Sequence, residues 1–215
     1  MTDNDIMINV LLDRSGSMGG LEKDVIGHYN AYIKEQRYLP GRATVSLVLF
    51  DDRYEEIYVG KDIKEVPKLT KDTYSVRGST AYLDAIGKLV NSVDAIKNKP
   101  KKVIFVINTD GLENASREFT ASKIKEIITE RQNNHDWQFV FIGAGFDAIK
   151  EGLKYGIPVW TLYSAAAGPQ GITDSYTMLS NSTIAYRAGD TVTMDMTTTP
   201  RKKTTDDTTT PVVTS

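Results

Sequence analysis

The chain has 215 residues, with 26 Lys and Arg against 28 Asp and Glu, two His and no Cys. The missing Cys excludes a disulfide framework, a zinc–thiolate site, an iron–sulfur cluster and a thiol nucleophile, and two His leave little for an imidazole-rich metal site. The near-neutral balance argues against an electrostatic grip on nucleic acid or anionic lipid.

The start, Met1-Thr2-Asp3-Asn4-Asp5, lacks the basic flank and small-residue cleavage site of a secretory signal. No stretch approaches the ~18 uninterrupted apolar residues of a membrane span. A cytoplasmic location is the expectation. Ile6 to Asp13 is a near-continuous apolar run, as in a strand buried on both faces. Leu21, Val25, Tyr29, Tyr32 and Ile33 then form a helical stripe that stops before Pro40-Gly41. Ala43 to Phe50 reads as a second strand, and Asp51-Asp52-Arg53 as a solvated hairpin turn into Tyr54 to Val59, giving one antiparallel pair. Residues 60 to 80 carry no clear period. Leu83, Ile86, Val90 and Val93 predict a helix over Tyr82 to Lys97, and Lys102 to Asn108 holds the most strongly β run. A helix over Ser122 to Arg131, a strand over Trp137 to Ile142, a helix over Asp147 to Tyr155, a short strand over Val159 to Leu162 and a last helix over Asp174 to Tyr186 complete the alternation.

Strands separated by helices of this length imply βα units. The expected fold is a doubly wound α/β domain over residues 1–187, with a mainly parallel central sheet, one antiparallel edge strand and helices on both faces. From residue 188 the composition changes, and 11 of the 25 residues from 191 to 215 are Thr. With few apolar residues to offset ordering entropy, residues 188–215 read as a Thr-rich, disordered tail.

In an open parallel sheet, ligands bind beyond the carboxyl ends of the strands. The first strand is followed by Asp13-Arg14-Ser15-Gly16-Ser17, the Tyr82 helix is preceded by Gly78-Ser79-Thr80, and the Val103 to Ile107 strand leads into Thr109-Asp110-Gly111. Two carboxylates and three hydroxyls, Asp13, Ser15, Ser17, Thr80 and Asp110, thus meet at one sheet edge. That inventory is hard and all-oxygen, suited to Mg²⁺ or Mn²⁺. Neutral hydroxyl ligands would leave such an ion electrophilic and open to an outside anion. Taken singly, each loop is better explained as a helix cap or turn; their meeting at one edge is what favours a site.

Asp13-x-Ser15-x-Ser17, with Thr80 and Asp110 in the matching loops, resembles the metal-ion-dependent adhesion site (MIDAS) of von Willebrand factor type A (VWA) domains, over roughly residues 5 to 187. Phe141 to Asp147 resembles solitary intracellular bacterial and phage members more than secreted adhesins. The resemblance implies a Rossmann-like VWA fold and an ion ligated by Ser15, Ser17 and Thr80, with Asp13 and Asp110 acting directly or through water. It further implies a protein partner presenting Asp or Glu. A non-enzymatic, metal-dependent protein-binding module is therefore expected. A metal-dependent phosphoryl hydrolase using the same carboxylates, or a structural protein that self-assembles, are the alternatives. Gly143-Ala144-Gly145 mimics a dinucleotide fingerprint but lacks the acidic residue about 20 positions on, so it reads as a tight strand-to-helix turn. No Gly-x-Ser-x-Gly elbow joins Ser15 or Ser17 to His28 or His135 in a hydrolase triad.

Overall fold

The computed structural model describes residues 4–197. Six strands, β1 (Ile6–Asp13), β2 (Ala43–Phe50), β3 (Tyr54–Asp62), β4 (Lys102–Thr109), β5 (Gln138–Ala144) and β6 (Leu162–Ala165), alternate with helices α1 (Glu22–Arg37), α2 (Tyr82–Asp94), α3 (Ala121–His135), α4 (Ala148–Lys154) and α5 (Pro169–Ala188). The strands form one sheet in the order β3-β2-β1-β4-β5-β6. Every pairing is parallel except β2 with β3, so β3 is an antiparallel edge. The expected doubly wound architecture is the one observed.

The period-two geometry of β1 explains its near-continuous apolar run, interrupted by Asn9, whose Nδ2 donates to the Ile104 carbonyl at 3.1 Å. Ile6, Ile8, Val10 and Leu12 pack with Val25, Tyr29, Tyr32 and Ile33 of α1 and with Ile172, Tyr176 and Leu179 of α5. Met7 and Leu11 face the other way, into a core shared with α2, α3 and α4. A strand covered on both faces needs apolar residues at every position.

Several boundaries differ from expectation: β3 runs on to Asp62, α2 stops at Asp94 and α3 continues to His135. Val159–Thr161 is a short 3-10 turn and the last strand begins only at Leu162. The final helix starts five residues early, with Pro169 in its first turn after Gly168 at φ 95, and ends at Gly189, left-handed at φ 80; these are the punctuation marks that Pro and Gly supply. The tail boundary at 188 is also corrected. Met194 and Met196 are 0% and 1% exposed, Met194 N donates to Gln138 Oε1 at 3.2 Å, and Met196 N donates to the Trp160 carbonyl at 2.7 Å. Two apolar side chains among many Thr suffice to bind 188–197 to the domain. The Thr-rich remainder expected to be disordered lies outside the described residues. Among the described residues no helix is long and apolar enough to cross a membrane.

Candidate metal centre

The chain winds outward from β1 through β2 to β3, then returns to place β4 on the other side of β1. That reversal parts the loops that leave the carboxyl ends of β1 and β4 and opens a crevice between them. Asp13 is the last residue of β1 and pairs with Phe50 of β2; its neighbour Leu12 pairs with Asn108 of β4. Asp13 and Asp110 therefore sit on opposite banks of the switch point.

The loops converge. Asp13 is fully buried, its Oδ1 accepting the Ser15 N–H at 2.6 Å and its Oδ2 the Thr109 hydroxyl at 2.5 Å. Ser15 Oγ stands 3.1 Å from Ser17 Oγ, and the Ser17 hydroxyl donates to Asp110 Oδ1 at 2.5 Å. Thr80 closes the third side. A Cβ built on Gly111 would stand 3.0 Å from Thr80 Oγ1 and 3.4 Å from Ser17 Oγ. The hydroxyls of Thr80 and Ser17 thus face the same small space over Gly111, which only a residue without a side chain leaves open. All five residues singled out in the sequence are brought together.

Burial raises the Asp13 carboxyl to about 6, against the hydrogen bonds from Thr109 and Ser15, and the charge of Asp110 adds to the rise. Burial also raises Asp110, against the Ser17 hydroxyl. Two desolvated carboxylates with only neutral donors around them lack a compensating positive charge. Among the described residues no group of three or more His, Cys, Asp or Glu gathers in a metal-binding arrangement; this cluster consists of two carboxylates and three hydroxyls.

Further residues hold the loops, and the sequence reading missed them. Thr109 follows the apolar run of β4 and precedes Asp110, so its adjacency was its only signal. Tyr74, in the stretch without a clear period, donates its hydroxyl to the Asp13 carbonyl at 2.6 Å. Asn114 Oδ1 accepts the Thr80 N–H at 2.9 Å, while the Thr80 carbonyl accepts from Asn114 N at 3.0 Å and Ala115 N at 3.1 Å. Glu113 accepts the N–H groups of Leu83 (3.1 Å), Ala115 (3.0 Å) and Ser116 (2.7 Å), tying the loop to the first turn of α2.

Asp51 is not the solvated turn residue expected. It is 0% exposed; its Oδ2 accepts from Arg77 Nε at 2.5 Å and lies 3.4 Å from Arg14 Nε. Arg14, 2% exposed, also pairs with Glu55 at 2.7 Å. The Arg14 N–H reaches the Phe50 carbonyl and the Arg77 N–H the Arg14 carbonyl, so the first loop, the hairpin turn and the approach to Thr80 are joined by backbone bonds as well as by charge. Only Asp52 and Arg53 of the turn are exposed.

The competing features resolve as structural. His28 hydrogen-bonds Thr173 at 3.0 Å and stacks on Tyr176, and His135 lies 3.3 Å from Glu130 at the end of α3. A Cβ on Gly143 would strike Ala148 Cβ and the Phe146 ring at 2.6 Å, the close strand–helix approach of a tight turn.

No protein-family model and no curated protein sequence matches the chain. Solved structures do. A von Willebrand factor type A from Catenulispora acidiphila is 13% identical with a TM-score of 0.58, over 84% of this chain and 43% of that one. The fold is that of a von Willebrand factor type A domain. Proximal thread matrix protein 1 (PTMP1) from the mussel byssus aligns with this VWA fold at 18% identity and a TM-score of 0.60, over 82% of this chain and 45% of that one. A manganese-loaded Plasmodium vivax TRAP protein aligns at 20% identity and 0.54, over 77% and 70%. A further PTMP1 structure has a zinc-occupied MIDAS motif. The chain spans less than half the length of the mussel and Catenulispora proteins.

Proposed function

We propose that this VWA-fold domain is a protein-interaction module that captures an acidic side chain of a partner through a divalent ion, Mg²⁺ or Mn²⁺, held by Ser15, Ser17 and Thr80 with Asp13 and Asp110. The observation that carries the reading is the convergence of two desolvated carboxylates and three hydroxyls around the space that Gly111 leaves free. The donor set fits a hard cation, because it is all oxygen and carries only two formal charges. The zinc-occupied mussel structure and the manganese-loaded TRAP protein show similar folds with divalent ions and support the same chemistry here.

A bound ion would supply one electrophilic coordination position for a carboxylate from outside. The chain's own residues do the rest. Thr109 and the Ser15 N–H orient Asp13, Asn114 and Ala115 fix the Thr80 backbone, and the buried Arg14–Asp51 pair holds the first loop against the hairpin turn. In this reading the domain's role is binding rather than catalysis.

Titrating Mg²⁺ and Mn²⁺ into the metal-free protein by calorimetry tests the reading. Saturable binding in the wild type, lost in Ser15→Ala/Ser17→Ala with an unchanged circular dichroism spectrum, is the expected result. No binding, or equal binding in the double variant, would overturn it.

A further inference from the structure

Next to Thr80 the surface opens into a groove of about 510 Å³ between the hairpin turn, the first turns of α2 and the loop after β4. Ser79 and Ala81, on either side of Thr80, line it, and so does Asn114, whose side chain holds the Thr80 N–H. The groove therefore begins where the candidate metal centre ends.

Its charges sort by what they already touch. Asp84 accepts the N–H groups of Arg117 (2.8 Å), Glu118 (2.9 Å) and Phe119 (2.8 Å), so its carboxylate is consumed in holding the loop. Lys88 pairs with Glu118 at 2.6 Å. Asp52 lies over Gly78, where a Cβ would stand 2.2 Å from its Oδ1, and its charge acts on Arg77. Two cations are left over. Arg53 and Arg117 line the groove, both are exposed, and among the described residues neither guanidinium has a hydrogen-bond or ion-pair partner. Both project from pinned backbone: the Arg53 N–H donates to Asp51 Oδ1 at 2.7 Å and the Arg117 N–H to Asp84 Oδ2 at 2.8 Å. A guanidinium grips a carboxylate with two parallel hydrogen bonds, so two without partners lining one groove suit that anion.

We infer that the groove receives a second carboxylate of the same protein partner, bound by Arg53 and Arg117 while the first is held at the metal centre. The recognised segment is thus acidic at two separated positions. The inference rests on the metal-dependent reading above and names the partner's chemistry.

Two six-residue probes in saturating Mg²⁺ test it: hexaglutamate, and a peptide with one Glu among Gly and Ser. By calorimetry hexaglutamate binds the wild type about thirtyfold more tightly than the single-Glu peptide, about sixfold because it offers six equivalent carboxylates and about fivefold more through two exposed charge contacts. Arg53→Gln/Arg117→Gln removes the fivefold part and leaves single-Glu and Mg²⁺ binding unchanged. Lys97→Gln/Lys101→Gln, with the same loss of charge on exposed lysines near the start of β4, keeps the advantage. A wild-type advantage of about sixfold or less, or equal loss in both double variants, overturns the groove while single-Glu binding that needs Mg²⁺ still supports the metal centre. Peptide binding indifferent to EDTA overturns the metal-dependent reading, and this inference with it.

Discussion

The two ends of the sheet use their charged and polar side chains in opposite ways. At the end where β4 begins, Lys102 Nζ donates to the carbonyls of Tyr186 (2.8 Å) and Arg187 (3.2 Å) at the close of α5, and Lys99 Nζ to those of Asp94 (3.2 Å) and Ile96 (3.3 Å) after α2. Each ammonium also lies over an aromatic ring, Lys99 at 5.9 Å from Trp137 and Lys102 at 5.2 Å from Tyr186. These cations meet helix carbonyls, where a positive charge is favourable, and their job is finished. At the other end Asp13 and Asp110 meet only hydroxyls and amides, and burial pushes both carboxyls up. At one end these cations meet acceptors, and at the other two carboxylates meet no cation. That difference supports the proposed metal centre more firmly than a count of polar residues does.

Removing an oxygen from the carboxylate end has the largest expected effect. Asp110→Ala weakens Mg²⁺ binding at least about 100-fold, beyond the 10- to 100-fold typical of outer-shell partners, while the thermal midpoint of the metal-free protein falls little or rises. Calorimetry and thermal melts with and without Mg²⁺ measure both. Unchanged affinity would erase the contrast between the two ends. Gly111→Ala comes next, because its methyl must share space with Thr80 Oγ1 at 3.0 Å and Ser17 Oγ at 3.4 Å. About tenfold weaker Mg²⁺ binding is expected, on the scale of an outer-shell change. Thr109→Val is similar in size, since it takes from Asp13 the hydroxyl that opposes its rise, and it adds a stability loss of about 1 kcal/mol. At the end where β4 begins the pattern reverses. Lys102→Met costs about 1 kcal/mol by stripping two helix carbonyls of their donor, with Mg²⁺ affinity unchanged.

The sequence was most legible where a single rule decided the outcome. The near-continuous apolar run Ile6–Asp13 reports burial on both faces, and the three loops report an edge. It was least legible where tertiary contacts decide. Asp51 looks like any turn residue until Arg14 and Arg77 close on it, two partners 37 and 26 positions away. The long α5 is rich in Ser and Thr, so its stripe fades and only Pro169 and Gly189 mark its ends. Met194 and Met196 sit among Thr residues whose composition says disorder; the pockets that receive them are made by distant segments. Arg53 and Arg117 carry no motif at all, and being left without a partner is a property only of the folded chain.

Glu151 sharpens the comparison, because this buried carboxylate lies among helices, away from the candidate metal centre, and is fully provided for. Glu151 accepts hydrogen bonds from Tyr82 (2.7 Å), Tyr155 (2.5 Å) and Lys154 (2.6 Å). Burial alone would raise its carboxyl, but these donors and the Lys154 charge outweigh it and hold it below the ordinary 4.5. A depressed folded value means that ionised Glu151 stabilises the fold in full above about pH 4.5, and that this contribution is lost as pH falls through the folded value. Tyr82→Phe removes one donor and costs about 1 kcal/mol near neutrality. Denaturant melts of both proteins from pH 7 down to pH 3 follow the gap, which narrows below pH 4.5 as Glu151 takes up its proton. A gap that stays constant would mean that the Tyr82 hydroxyl stabilises through Tyr155, 3.0 Å away, and not through ionised Glu151.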